Sequence, residues 1–296
     1  MNFFLNRYKQ LGADFDPKKI EVRHSLRINT LKINEEQLIE RLKKERVMLE
    51  KVPFLEWGYH YAAPFSLGAT PEYLLGYYYL QETASQLPVQ ILDPQPGETV
   101  LDMAAAPGSK TTQIAQCMKN KGILVALDEN VHRLDAVKNN VERCGITNTI
   151  LYKKDARFAA DFGILFDKVL LDAPCSGNFV TDQHWFEKKT LDGIKERARL
   201  QKELLKAAVK VLKPKGVLVY STCTLEPEEN EMNIDWLLKK CPELRLEKVE
   251  MEVGDPGLTE VFGEKLSPEL SKCRRLWPHK TKTEGFFIVK MIKGEK

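Results

Sequence analysis

A regular alternation of short apolar runs and helical patterns begins near residue 77 and continues almost to the end of the chain. Amphipathic stretches, such as 131–143 and 195–212, separate the apolar runs. The predicted strands cover 99–102, 123–128, 149–153, 168–172, 216–221 and 286–291. Strands that alternate with helices of this length form a parallel sheet covered by helices on both faces. The sequence therefore predicts a doubly wound, mostly parallel α/β sheet.

The first 75 residues lack this alternation. A helix is predicted over 34–49, because three of its leucines share one stripe: Leu38, Leu42 and Leu49. A short run over 25–33 precedes that helix. We therefore predict a small N-terminal α/β domain over residues 1–75 and a larger domain over residues 76–296.

Composition and charge restrict the class of protein. Lysine and arginine number 45 against 42 aspartates and glutamates, for a net charge of +3 over 296 residues. No run of 18 uncharged apolar residues occurs, so we predict a cytoplasmic protein without a membrane partner. The six cysteines form no Cys-x-x-Cys pair, which argues against a metal site and favours free thiols. Segments 183–215 and 271–296 are basic, a pattern typical of polyanion contact or of solvated helix faces.

Small residues follow the first predicted strand of the large domain, over 102–110. Ligands of parallel sheets bind beyond the carboxyl ends of the strands. Small side chains let a ligand approach the backbone there, and the following helix offers free N–H groups. A phosphate-binding P-loop is disfavoured, because Ala104 and Ser109 stand where that motif requires glycine.

Aspartates occur at or just after the ends of the next three strands. Asp128 lies twenty residues after Gly108, the spacing at which a carboxylate in such folds binds ribose hydroxyls. Asp155 follows the third strand and Asp172 ends the fourth. Each could cap a helix, the commoner role of aspartate at such junctions. Together with the small-residue turn, they favour a cofactor that contains adenosine.

Two cysteines follow the fourth and fifth predicted strands: Cys175 and Cys223. Because the carboxyl ends of parallel strands meet at one rim, we expect both thiols on the same side of the sheet. A pair of thiols beside a nucleotide site indicates covalent chemistry.

Several segments resemble RNA cytosine-5 methyltransferases of the Sun/Fmu type. Those that carry the resemblance are 102–110, Asp-Ala-Pro-Cys-Ser-Gly at 172–177, Tyr-Ser-Thr-Cys-Thr at 220–224 and Glu-Glu-Asn-Glu at 228–231, with further agreement at 27–30, 81–85 and 285–288. The resemblance covers nearly the whole chain. Ala104 replaces a cysteine and Ser109 a glycine common in that family, but both are small. The resemblance implies a seven-stranded Rossmann-like methyltransferase sheet, S-adenosylmethionine as cofactor and RNA as substrate.

The resemblance also implies roles for individual residues. Cys223 is the nucleophile that adds to carbon-6 of cytosine, and Cys175 promotes product release; the alternative, drawn from DNA cytosine-5 methyltransferases, makes Cys175 the nucleophile. Asp172 holds the base. Lys110 either lowers a thiol pKa or orients Asp172. The residues assigned to the cofactor are Ala104, Ala105, Ala106, Pro107, Gly108, Ser109, Lys110, Asp128 for the ribose, Arg133, Asp155 for the adenine, and Asp172.

The RNA is less constrained than the reaction. Compact members of the family look like tRNA methyltransferases, so we predict tRNA, with ribosomal RNA as the alternative. A non-catalytic RNA-binding or assembly factor with the same fold is a further alternative. The side chains proposed to flank the site and grip or stack on RNA are Arg27, Asn29, Arg274, Arg275, Trp277 and His279. We predict a monomer.

Overall fold

The computed structural model of the chain describes residues 2–295. Its N-terminal part contains helices α1 (Phe3–Gln10), α2 (Glu35–Lys44) and α3 (Pro71–Leu74), and strands β1 (Ser25–Ile28), β2 (Met48–Lys51), β3 (Gly58–Ala62) and β4 (Tyr78–Leu80). The four strands form an antiparallel sheet in the order β2-β3-β1-β4. β4 lies beyond residue 75, where we placed the domain boundary, and that boundary stays a prediction.

The predicted helix over 34–49 was too long. Helix α2 ends at Lys44, and Leu49 lies on strand β2. Arg46 adopts a φ of 61°, a left-handed conformation that a helix cannot continue through. The leucine stripe misled the prediction because Leu49 follows Leu42 by seven residues, which fits a helix by coincidence. Leu38 and Leu42 are buried as predicted.

The larger part of the chain contains helices α4 (Thr83–Leu92), α5 (Ser109–Cys117), α6 (Val131–Cys144), α7 (Trp185–Lys188), α8 (Leu191–Val211), α9 (Glu231–Lys240) and α10 (Pro278–Thr281). Its strands are β5 (Thr99–Asp102), β6 (Ile123–Asp128), β7 (Thr149–Lys153), β8 (Phe166–Asp172), β9 (Leu212–Thr222), β10 (Leu244–Glu247), β11 (Asp255–Pro256), β12 (Glu260–Val261), β13 (Glu264–Lys265), β14 (Arg274–Leu276) and β15 (Phe286–Lys293). Strands β12 and β13 form a separate hairpin.

The central sheet has five parallel strands in the order β7-β6-β5-β8-β9, and β15 joins β9 antiparallel. The predicted fold class is confirmed. The sheet has nine strands instead of seven, because β10 and β14 share the outer edge of β15 and β11 extends β14.

Helices cover both faces of this sheet, which explains the continuous apolar runs of its strands. Leu101, Val125, Val169 and Leu218 pack with residues of α8 and α9 on one face. Their neighbours along the strands, Val100, Leu124, Leu170 and Val219, pack with residues of α4 and α5 on the other. Side chains of a strand alternate between faces, so one sequence run fills two cores. The five parallel strands thus place their carboxyl ends at one rim.

Helix α1 packs against the larger part of the chain. The Phe4 and Trp185 rings lie 4.7 Å apart, edge to face. Arg7 binds Glu226 and Glu228 in the loop that follows β9, and the Tyr8 hydroxyl donates to Glu226 at 2.7 Å. The N-terminal helix therefore buttresses a loop at the carboxyl rim of the sheet.

Candidate active site

The turn after β5 brings the backbone close to the rim. Asp102 is fully buried, and it accepts hydrogen bonds from the Thr111 hydroxyl at 2.7 Å and the Ala104 N–H at 3.4 Å. Burial raises the pKa of Asp102 to about 6. Gly108 caps α5 with a φ of 104°, and a Cβ atom there would lie 3.3 Å from the Val137 Cα. Glycine is therefore required for this turn to reach α5.

A cavity of about 430 Å³ lies beyond the ends of β5, β6, β7 and β8. The predicted residues that line it are Ala104, Ala106, Asp128, Arg133, Asp155, Asp172, Cys175 and Cys223. Other lining residues were missed by the sequence analysis: Met103, Glu129, Lys154, Ala156, Ala173, Pro174, Arg197, Leu200 and Leu204. The leucines of α8 that form the apolar wall of the cavity could not be recognised in the sequence, because their spacing is the same as in an ordinary core helix.

The two carboxylates at the ends of β6 and β7 are fixed by their own loops. Asp128 accepts from the Asn130 N–H at 2.9 Å, and the Arg133 guanidinium lies 3.6 Å from it while donating to the Ala106 carbonyl at 3.2 Å. Asp155 is bound by the Arg157 guanidinium, and these hydrogen bonds lower its pKa. Both side chains present carboxylate oxygens to a cavity with small walls.

Five residues predicted for the cofactor do not line the cavity: Ala105, Pro107, Gly108, Ser109 and Lys110. The Ser109 carbonyl accepts a hydrogen bond from the Arg27 guanidinium at 2.8 Å. Ala105 is buried under the turn. These residues shape the turn from behind, and any ligand contact of theirs stays a prediction.

The two predicted thiols are in direct contact. Cys175 Sγ and Cys223 Sγ lie 2.9 Å apart, and all six cysteines of the chain are free. The hydrogen bond to Cys175, together with burial, raises the pKa of Cys223 well above its usual value. The Asn178 amide donates to the Cys223 carbonyl at 2.7 Å and holds that loop. Both thiols border the cavity.

Lys110 lies behind the thiols and forms an ion pair with Asp172. Its Nζ is 2.7 Å from Asp172 Oδ2 and donates to Ser85 Oγ at 2.8 Å. Burial alone would lower the pKa of Lys110, but attraction to Asp172 outweighs burial, so the net shift is upward. Ser221 donates to the other oxygen, Asp172 Oδ1, at 2.6 Å. The Asp172 carboxylate is thus fixed from both sides.

Two glutamates near Lys110, half-buried Glu82 and buried Glu284, were also missed by the sequence analysis. Glu82 accepts from the Ala84 N–H at 2.6 Å and the Glu284 N–H at 3.2 Å, and so ties the start of α4 to the segment before β15. Burial, and then repulsion by Glu82, raises the pKa of Glu284 well above its usual value. The segments 81–85 and 285–288 marked this region, but no spacing linked residues two hundred positions apart.

Several residues predicted to grip RNA are buried, so that prediction was wrong for them: Arg27, Asn29, Arg275 and Trp277. Arg27 donates to Gln116 at 3.1 Å and Thr112 at 2.9 Å on α5. Arg275 forms a buried pair with Glu231. Arginines at these positions join elements of the fold, which their charge alone did not reveal. Arg274 and His279 are partly exposed.

Residues 2–295 contain no cluster of three or more histidine, cysteine, aspartate or glutamate side chains suited to a metal ion. None of the helices described here is long and apolar enough to cross a membrane.

A parallel sheet continued by an antiparallel strand, with a cavity beyond the first strands bounded by small residues and terminal aspartates, defines a Rossmann-like methyltransferase. Residues 89–292 match the family described as 16S rRNA methyltransferase RsmB/F, and residues 3–83 match the N-terminal domain of 16S rRNA methyltransferase RsmF. The chain belongs to the RsmB/F methyltransferase family, which confirms the predicted resemblance.

Individual relatives differ in length and in the RNA they are named for. The chain is 42% identical over 282 residues to a tRNA (cytosine(49)-C(5))-methyltransferase of Pyrococcus abyssi, covering 92% of this chain and 88% of that protein. It is 42% identical over 279 residues to a mouse 28S rRNA (cytosine-C(5))-methyltransferase, covering 91% of this chain but 35% of that protein. Both names agree with the predicted reaction.

A solved structure has the same architecture over its full length. A methyltransferase homolog from Pyrococcus horikoshii superimposes with a TM-score of 0.86 at 39% identity, with 98% of each chain covered. The chain thus spans about a third of the mouse relative, and nearly all of the two archaeal ones.

Proposed function

We propose that this protein transfers a methyl group from S-adenosylmethionine to carbon-5 of cytosine in tRNA. The observation that carries the proposal is the 2.9 Å contact of two thiols from separate strands, beside the Lys110–Asp172 pair and at the wall of the cavity. Membership of the RsmB/F family and the printed names of the relatives support the same reaction.

The cavity suits S-adenosylmethionine, which supplies the methyl group as a sulfonium when bound. Asp128, fixed by the Asn130 N–H, is placed to accept hydrogen bonds from ribose hydroxyls, and Asp155 stands at the next strand end for the adenine. The small side chains of Ala104 and Ala106 leave room for the cofactor beside the end of β5. Arg133 supports both Asp128 and the turn. Asp172 and the thiols lie at the far wall, where the methyl group must meet the base.

Carbon-5 of cytosine is a poor nucleophile, so covalent activation is needed. We assign Cys223 Sγ to the bond with carbon-6, which makes carbon-5 electron-rich. After methyl transfer, a base takes the carbon-5 proton, the electron pair of that carbon–hydrogen bond re-forms the carbon-5–carbon-6 double bond, and the pair of the carbon-6–sulfur bond returns to Cys223 as its thiolate. Cys175, in contact with Cys223, is placed to assist this release. Contact with Cys175 and burial raise the pKa of Cys223 in the free protein, so a base must take the Cys223 proton before or during the attack on carbon-6.

Of the two roles left open for Lys110, the geometry favours the orientation of Asp172. Its Nζ binds Asp172 and Ser85 directly, while the net shift of the Cys223 pKa is upward. With Lys110 and Ser221 fixing its two oxygens, Asp172 presents a preorganised partner for the ring nitrogen and amine of cytosine.

The assignment of the thiols is tested with RNA and S-adenosylmethionine on a denaturing gel. Cys223→Ala is expected to abolish both turnover and the covalent protein–RNA adduct, whereas Cys175→Ala accumulates the adduct. Cys241→Ala is the matched control, because Cys241 lies at the end of α9, away from the cavity. A stable adduct with Cys223→Ala would assign the attack to Cys175 instead.

The substrate is tested by transfer of labelled methyl groups to purified tRNA and rRNA. We favour tRNA because the chain covers most of the archaeal tRNA enzyme but a third of the mouse rRNA enzyme. The family description supports rRNA as the second candidate. Bisulfite sequencing of RNA from cells that lack the gene gives the position. Tight RNA binding without transfer to either RNA would favour a non-catalytic binding factor.

A further inference from the structure

Glu229 is a fully buried carboxylate in the loop that follows β9, six residues after Cys223. Within residues 2–295 it has no salt-bridge partner, but three donors reach it. The Ser176 N–H donates at 3.1 Å, the Gln201 amide donates at 2.7 Å, and the Ser176 hydroxyl donates as well. Burial raises the pKa of Glu229, and hydrogen bonds to the carboxylate oppose that shift by replacing its hydration. These donors are placed to do that.

The same hydrogen bonds join the two loops that carry the thiols. Ser176 directly follows Cys175, so the bond from its N–H fixes the peptide that bears the Cys175 side chain. Thr224 directly follows Cys223, and its hydroxyl lies 3.0 Å from the Ser176 hydroxyl. Glu229 itself belongs to the Cys223 loop. The Glu229 carboxylate therefore binds the Cys175 loop one residue after Cys175, and Ser176 in turn contacts Thr224, the residue after Cys223.

Glu229 is in turn held in place by its surroundings. The Tyr220 hydroxyl donates to the Glu229 carbonyl at 2.6 Å. Gln201 of α8 also donates to the Pro174 carbonyl at 3.0 Å, one residue before Cys175. Asn233 of α9 donates to Gln201 at 3.0 Å and so orients its amide. Hydrogen bonds from β9, α8 and α9 thus fix the distance between the two thiols.

We propose that Glu229 is a positioning residue that keeps Cys175 in register with Cys223 for product release. This inference rests on the proposed function. Glu229 does not line the cavity and touches neither thiol. It acts through the Cys175–Ser176 peptide: without it, Cys175 loses contact with Cys223, while Cys223, held by Asn178 and β9, still attacks. Loss of Glu229 then slows the breakdown of the adduct more than its formation.

The test is single-turnover methylation of tRNA by Glu229→Gln, with separate measurement of adduct formation and decay. Gln keeps the volume of Glu but presents an NH₂ group to one of three donors. We expect formation within about 3-fold of the parent protein and decay slowed about 10-fold to 100-fold, as expected when a buried hydrogen-bond donor loses its partner. The KM for S-adenosylmethionine should not change.

The matched control is Glu228→Gln. Glu228 is the neighbouring carboxylate in the Cys223 loop. It binds Arg7 and forms no hydrogen bond with the Cys175 loop. Its adduct should form and decay like that of the parent protein. Equal slowing of formation and decay by Glu229→Gln would instead indicate a purely structural role and overturn the inference.

A double mutant separates positioning from general destabilisation. If Glu229 acts through Cys175, adding Glu229→Gln to Cys175→Ala slows decay no further, whereas independent effects would multiply and contradict the inference. If Glu229→Gln does not fold, Ser176→Ala removes the hydroxyl bonds while keeping the N–H, and decay about 3-fold to 10-fold slower is expected. Should the parent protein form no adduct with any RNA, the proposed function itself fails, and this inference with it.

Discussion

The carboxyl rim of the parallel sheet has two halves that are built differently. On the side of β6 and β7, each carboxylate is fixed by residues of its own loop: Asp128 by Asn130, and Asp155 by Arg157. On the side of β8 and β9, the partners come from far along the chain. Asp172 is fixed by Lys110 and Ser221, Cys175 touches Cys223, and Glu82 binds the backbone of Glu284.

The electrostatics of the two halves also differ. Hydrogen bonds from Arg157 lower the pKa of Asp155, whereas burial or close contacts raise the pKa of Cys223 and Glu284. The first half offers carboxylate acceptors at the surface of a cavity, which suits reversible binding of a ligand. The second half is cross-linked by hydrogen bonds and an ion pair between distant segments, which suits a covalent step that needs fixed groups. Substitutions in the first should therefore change KM, and those in the second kcat.

Asp172→Asn is expected to have the largest effect. It removes the carboxylate charge that Lys110 orients towards the cytosine. We expect kcat to fall about 100-fold to 1000-fold, as for the loss of one preorganised electrostatic contact. The KM for S-adenosylmethionine should stay within about 3-fold. Asp167→Asn is the control, because Asp167 lies at the opposite end of β8 and binds Lys213. A rise in KM with kcat unchanged would break the division into halves.

Asp128→Asn tests the first half of the rim. We expect the KM for S-adenosylmethionine to rise about 10-fold to 100-fold with kcat nearly unchanged, since one hydrogen bond to a charged group contributes roughly 1.5–3 kcal/mol. Steady-state methyl transfer at saturating tRNA measures both constants. Asp135→Asn, on the exposed side of α6, should change neither. A loss confined to kcat would contradict a binding role.

Ser85→Ala removes a hydrogen bond that supports Lys110 in the second half of the rim. The hydroxyl accepts from Lys110 and helps to aim it at Asp172. We expect kcat to fall about 3-fold to 10-fold, which corresponds to roughly 1 kcal/mol for one hydrogen bond. Ser271→Ala, which removes a local bond to Pro268 on the surface, serves as control. If Ser85→Ala changed only the KM for S-adenosylmethionine, Lys110 would belong to the first half.

The pH dependence of stability should have opposite signs in the two halves. Burial raises the pKa of Glu226, in the loop after β9, to about 7. The folded protein keeps this proton while the unfolded chain ionises above about 4.5, so this contribution is complete below that pH and is lost as pH rises to 7. The pKa of Asp155 is lowered, so its contribution is present above the unfolded value of about 3.9 and is lost as pH falls further.

Thermal unfolding of Glu226→Gln and Asp155→Asn across pH 3–8 checks these signs. Between pH 4.5 and 7, the Tm of Glu226→Gln should fall less with pH than that of the parent protein, by roughly 5–10 °C. On acidification below pH 4, the Tm of Asp155→Asn should fall less than that of the parent protein. This difference should be smaller than the one expected for Glu226→Gln. Parallel Tm curves for the parent and Glu226→Gln proteins would contradict the raised pKa.

Local patterns were sufficient for most of the sheet. The bounds of β5, β6 and β7 were predicted to the residue, and β8, β9 and β15 extend only a few residues beyond their predicted ends. Short apolar runs bounded by turn residues and separated by helical patterns are typical of the strands of a parallel sheet, and each run can be recognised without the rest of the chain. Local patterns were not sufficient for α2. There the left-handed conformation of Arg46 prevents the helix from continuing, although the leucine pattern does continue.

The sequence by itself determined the order of strands and helices, the small-residue turn, and the aspartates and thiols at the strand ends, because each depends on a short stretch of chain. Only the tertiary structure decided which groups meet: the contact of Cys175 with Cys223, the hold of Lys110 on Asp172, and the link from Glu229 to Ser176. It also decided that Arg27 and Arg275 are buried. These contacts join residues tens of positions apart, and packing of the sheet and helices, not local spacing, sets their distances.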